Sequence, residues 1–167
     1  MSTTINSVMG TTAENIPIDG QMSLSFAFAR LQMIQAENAK TQATEYMKQI
    51  EDIQAKQKEA AEMIEAARKL QNEAKSGNKN TTMPQNMIDF CKANNISIES
   101  SGKDNKHSKD EWEYNLKGMT NYQEQLGNKT QTLMVYLQEF IGQYNTYTQG
   151  AASAIDKGNQ ALQSILR

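Results

Sequence analysis

The 167-residue chain predicts an all-α fold: a long antiparallel helical hairpin of coiled-coil type with a small helix-and-extended insert between its arms. Three observations lead there. First, small or apolar residues step by four and three from Ala39 through Ala43, Tyr46, Ile50, Ile53, Gln57, Ala60, Ile64, Ala67 and Gln71 to Ala74. Second, the same stepping resumes at Trp112 and continues through Leu116, Met119, Gln123, Leu126, Thr130, Leu133, Leu137, Phe140, Tyr144, Tyr147, Ala151, Ala154, Gly158 and Ala161 to Ile165. Third, the stretch between the two runs is short and polar, with glycine breaks at Gly77 and Gly102. A seam that repeats every 3.5 residues on average keeps one stripe of a helix against one partner over its whole length.

Taken in order, residues 1–22 read as a flexible tail, with Gly10, Pro17 and Gly20 among Ser, Thr and Asn. Residues 23–167 then form one domain with an insert at 76–109. The first helix opens near Ser23 with Leu24-Ser25-Phe26-Ala27-Phe28-Ala29-Arg30-Leu31, apolar on more than one face, and runs to about Lys75. Uninterrupted by Pro or Gly, it makes a rod on the order of 75 Å at 1.5 Å per residue. Gly77 is the expected cap. Thr82-Met83-Pro84-Gln85 predicts a new helix with Thr82 as N-cap, Pro84 in the first turn and Gln85 completing a capping box. That helix turns Met87, Ile88 and Phe90 inward and ends at Asn94-Asn95, after which Ile96-Ser97-Ile98 alternates as an extended stretch.

Residues 99–109 predict a polar loop, in which His107 reads as a solvent-exposed side chain. Ser108-Lys109-Asp110-Glu111 is a second capping box, opening a helix near 110–166. Gly118, Gly127, Gly142, Gly150 and Gly158 lie inside that helix, each about 1 kcal/mol worse than Ala in an exposed helix interior. Close packing or local flexing accounts for them.

Composition fits a thin molecule. Hydrophobic residues make up 38% and mean hydropathy is −0.71, which suits much surface per residue. A net charge of −2 gives no general attraction to phosphate backbones, so no nucleic-acid partner is expected. The single cysteine, Cys91, allows no intramolecular disulfide and reads as a small buried hydrophobe. No apolar run approaches a membrane span, so no direct membrane insertion is expected, and the N-terminal sequence lacks the basic start and apolar stretch of a cleavable signal. No metal-ligand spacing, phosphate loop or nucleophile motif appears. The expectation is therefore no cofactor, no metal, no catalytic residue and no enzyme.

The seams point to helix partners. Coiled-coil core positions are Ala43, Tyr46, Ile50, Ile53, Ala60, Ile64, Ala67, Leu126, Leu133, Leu137, Phe140 and Tyr144, with alanines on the first helix meeting bulk on the second. Apolar residues also flank the seams: Met33, Ile34, Met47, Met63 and Leu70 on the first helix, and Met134, Val135, Ile141, Ile155, Leu162 and Leu166 on the second. A two-helix hairpin buries one stripe per helix, so these call for other chains or a wider core closed by the mid-chain helix. Candidate subunit-interface residues are Leu133, Leu137, Phe140, Ile141, Tyr144, Ile155, Leu162 and Ile165. Ten methionines suit adaptable packing.

The order of a long Ala/Met/Ile-rich helix, Met83-Pro84-Gln85-Asn86-Met87-Ile88-Asp89-Phe90, Asn94-Asn95-Ile96-Ser97-Ile98, a polar loop and a long C-terminal helix resembles type III secretion translocation filament subunits of the EspA/SseB kind. Leu31-Gln32-Met33-Ile34-Gln35-Ala36 also resembles the start of the first helix in that family. The resemblance covers residues 24–167, although the loop after Ile98 is short beside the large exposed variable domain that some filament subunits display. It implies a secreted subunit at the bacterial cell surface that polymerises with itself into a hollow filament. That filament would extend the secretion needle and conduct effectors and translocators. It further implies a cognate secretion chaperone that binds the subunit in the cytoplasm before export, and needle and translocator proteins as partners. Residues 130–167 are also similar to the last helix of needle-tip proteins, so a tip cap is an alternative. A soluble helical chaperone or adaptor dimer is another, from a different class.

Overall fold

The computed structural model describes residues 24–102 and 104–166; the expected tail at 1–22 and the expected helix start at Ser23 lie outside the described residues. The described part is 85% helical. In chain order it comprises α1 (Leu24–Gly77), β1 (Thr81–Thr82), α2 (Gln85–Ala93), β2 (Lys106–His107) and α3 (Lys109–Ile165). The long helices pair and the class is all-α, as the heptads predict. Both run through two compact units, one formed by 24–44 with 137–166 and the other by 45–136.

In the 45–136 unit, Tyr46 meets Tyr136 at 5.5 Å between rings and Gln71 Nε2 donates to the Lys109 carbonyl at 3.5 Å. Residue numbers rise on one helix as they fall on the other, so the pair is antiparallel. Ile50, Ile53, Leu126 and Leu133 are buried along it, and Tyr46 is half-buried. The main core lies beyond them. Ala60, Ile64, Ala67 and Ala74 of α1 face Trp112 and Met119 of α3, and Met83, Met87, Ile88, Phe90 and Cys91 close the third side. Met63 and Leu70, which flank the first seam, pack against this core. For these two residues the wider core supplies part of the cover.

The helix ends show how local chemistry sets the boundaries. α1 ends at Gly77, but the left-handed residue is Asn78 at φ 44°, and the Lys79 N–H donates to the Ala74 carbonyl at 3.2 Å. Asn, which tolerates that region, takes the place expected of Gly77. Asn95 (φ 55°) repeats the arrangement after α2, where the Ile96 N–H reaches the Cys91 carbonyl at 2.8 Å. The expected Thr82 N-cap is not formed. Thr82 belongs to β1, Pro84 occupies the N-cap position without a side-chain cap bond, and Gln85 Nε2 donates to Asp89 Oδ1 at 2.8 Å. The cause is strand pairing. Thr81 and Thr82 lie antiparallel to His107 and Lys106, and the Met83 N–H donates to the Asn105 carbonyl at 2.7 Å, so the chain stays extended up to the proline.

The expected capping box at α3 is present. Glu111 Oε2 accepts from the Ser108 N–H at 2.7 Å, while the Glu111 N–H points to Ser108 Oγ at 3.4 Å. Glu111 Oε1 also accepts from the Ser101 N–H. These backbone donors, that of Ser101 first, hold the carboxyl down at about 2.

The expected polar loop is more ordered than its composition suggests. His107 is 1% exposed, which corrects its reading as a surface side chain. Its Nδ1 lies 2.8 Å from the Glu99 carbonyl, and its ring packs 5.2 Å from that of Trp112. Asn115 Oδ1 accepts from the Glu99 N–H at 2.7 Å and its Nδ2 donates to the Glu99 carbonyl at 3.2 Å. Trp112 Nε1 donates to Thr81 Oγ1 at 2.7 Å, and that hydroxyl donates to the Leu70 carbonyl at 3.0 Å. The chain so joins α3, β1 and α1.

Candidate assembly surface

The unit formed by 24–44 and 137–166 pairs its two helices through small residues. A Cβ on Gly158 would lie 3.2 Å from the Phe26 ring, and one on Gly150 would lie 3.0 Å from Gln32 Oε1. Here close packing explains the glycines of α3. Gly142 is different, with open space where its side chain would be. Every fully buried hydrophobic in this unit is an alanine: Ala29, Ala36, Ala39, Ala43, Ala151 and Ala154. Small residues at a contact bring helix axes close together, and that leaves the larger neighbours standing outside the seam.

Most of the large apolar side chains are indeed outside, while Phe26, Ile34, Leu137, Phe140 and Tyr147 are half-buried. Leu24, Phe28, Leu31 and Met33 on α1 and Ile141, Tyr144, Ile155, Leu162, Ile165 and Leu166 on α3 are exposed. Ile141, Ile155 and Leu162 are 45%, 39% and 47% exposed, and their positions differ by multiples of seven. They form one stripe beside the seam, with Thr148 at the intervening position.

Charge is scarce on the same unit. Its 51 described residues carry only Arg30, Glu37, Lys40, Glu139, Asp156 and Lys157, which sum to zero. The α1 stretch 45–77 alone carries 13 charged residues. Depletion of charge together with exposed aromatic and Met side chains matches the composition found at the core of protein interfaces.

Of the expected interface residues, Ile141, Tyr144, Ile155, Leu162 and Ile165 are exposed, and Leu137 and Phe140 are half-buried. Leu133 is 6% exposed in the core of the other unit and is unavailable to a partner, which removes it from the interface set. Tyr144, also expected in the coiled-coil core, is 37% exposed. The Gln32–Gly150 and Phe26–Gly158 contacts bring it level with the Ala39 turn, where alanine is too short to cover a phenol ring. The expected match of small residues against large ones is incomplete at this end for that reason, with Leu137, Phe140 and Tyr147 half-buried and Tyr144 exposed. Leu24, Phe28 and Leu31 were missed as surface residues. Their signal was the two-faced apolar opening of the first helix, and the charge count would have strengthened it.

Among the described residues no group of three or more His, Cys, Asp or Glu is placed to hold a metal ion, and no helix is long and apolar enough to cross a membrane. Comparison with protein-family models, curated proteins and solved structures returns no match to this chain.

Proposed function

We propose that this chain is a structural subunit that polymerises through the helix pair 24–44/137–166. The carrying observation is that this pair fully buries only alanine and glycine while ten large apolar side chains stay exposed on a charge-poor, net-neutral surface. Covering the exposed part of Ile141, Ile155 or Leu162 is worth about 1 kcal/mol each. One such contact is small against the several kcal/mol that association costs. Several of these side chains covered together at one junction offset that cost, and a non-closing head-to-tail junction then recurs along the whole polymer. A partner with a charged face fits poorly, since its charges would be desolvated without counterparts. A second copy, equally neutral, fits well.

The likeness of the sequence to the EspA/SseB kind supports the more specific reading. The subunit is exported by a type III apparatus and builds a hollow filament on the needle, with a chaperone shielding the same surface in the cytoplasm. The work of this protein is then architectural, without catalysis or cofactor. Electron microscopy of the purified protein tests the reading: it requires open-ended tubes. Closed, countable rings would favour a needle-tip cap, and discrete dimers with no further growth would favour an intracellular adaptor.

A further inference from the structure

His107 is the only histidine and Trp112 the only tryptophan, and their rings are 5.2 Å apart in the knot where β1, β2, residues 99–101 and α3 meet. The Glu99 carbonyl can only accept, so its 2.8 Å contact places a proton on His107 Nδ1. Asn115 Nδ2, 3.3 Å from the same nitrogen, donates to the same carbonyl. The other ring nitrogen, Nε2, is buried and has no hydrogen-bond partner among the described residues. In the neutral ring it is a lone pair left dry. A second proton would make it a buried, charged donor with no acceptor, and burying such a group is costly.

The charged groups on the surrounding elements offer no relief. Glu99, Asp104 (whose Oδ1 accepts from the Lys106 N–H at 3.1 Å), Lys106 and the Lys109–Asp110 pair are exposed, as are Lys69 and Glu73 on either side of Leu70 on α1, and β1 contributes none. The Glu111 carboxylate is occupied by the Ser101 and Ser108 N–H groups. We propose that His107 is a proton-operated latch: its neutral ring holds β2 and residues 99–101 on α3, and acidification releases them while the long helices persist. By linkage, a proton that binds only the open form favours opening as pH falls.

Trp112 is the built-in reporter. The experiment scans the intact protein from about pH 8 to pH 5, across the range in which histidines commonly titrate. It records the tryptophan emission wavelength, far-ultraviolet dichroism, the NMR resonance of the imidazole Cε1–H, and amide exchange at Thr81–Met83 and Lys106–His107. The expected result is a red shift of the emission, coincident with imidazole protonation and faster exchange of those amides, with helicity retained. His107→Gln should remove the step. Protonation of the imidazole with the amides still protected would overturn the latch, as would a step that survives in a folded His107→Gln protein. So would protonation that occurs only when the helices melt. Should the variant fail to fold, the imidazole resonance and amide exchange of the unsubstituted chain still decide.

Discussion

At the residue scale, the most consequential side chains are polar ones inside the 45–136 unit. Glu111 binds two backbone N–H groups and its carboxyl is held at about 2, against an ordinary 4.5. A depressed folded value means that its contribution is complete above about 4.5 and is lost as pH falls toward 2. That contribution is roughly 3 kcal/mol at most. Glu111→Gln should lower the stability of the unit at pH 7 by an amount approaching this and flatten its acid dependence below pH ~4.5. Urea melts followed by Trp112 fluorescence at neutral and acid pH measure both. Cys91 gives a second expectation. It is buried, and burial pushes its thiol up to about 11, so it should resist thiol reagents in the native protein and react once unfolded. Rapid labelling at neutral pH without denaturant would contradict that burial. The reading of Cys91 as a buried hydrophobe needed only its place in a periodic apolar pattern. His107 could not be read the same way, because its burial depends on Trp112, Asn115 and the Glu99 carbonyl, and no local pattern brings those groups together.

At the element scale, the two long helices were legible because their seams extend over many turns, and a sustained period is a strong signal. The bounds Leu24–Gly77 and Lys109–Ile165 lie within two residues of the expected ones. The two-residue strands were not legible, since the Thr81–His107 and Thr82–Lys106 pairing spans a chain separation that sequence spacing does not report. The helical glycines, ambiguous in sequence, separate in structure. Gly142 faces open space, so Gly142→Ala should stabilise by about 0.5–1 kcal/mol through helix propensity. Gly158 packs under Phe26 and Ser25 at 3.2–3.3 Å, and Gly158→Ala should destabilise because overpacking outweighs that gain. Thermal melts by circular dichroism should therefore move in opposite directions, and a parallel shift would contradict the close pairing of the helices.

At the scale of the whole molecule, the chain divides its labour between a unit with a mixed core of Trp, Met, Phe and Ile and a unit whose buried hydrophobics are all alanine. The first has the side-chain bulk to fold on its own contacts. The second gains little from burying alanine, so its stability should depend on other copies. Accordingly, amide exchange in 24–44 and 137–166 should slow as protein concentration rises, while exchange in the 45–136 core should not change. The flanking apolar residues that suggested assembly were visible in sequence. Which of them the chain covers for itself was not, because the alanine pairing that expels Tyr144 and the core that absorbs Leu133 both depend on tertiary contact. The most direct test of the assembly surface is electron microscopy of the Ile155→Asp, Leu162→Asp double variant, with helicity followed by circular dichroism. Both side chains are exposed on the charge-poor unit, so tubes should be lost while helix content is kept. Tubes that form as before would contradict the proposed surface.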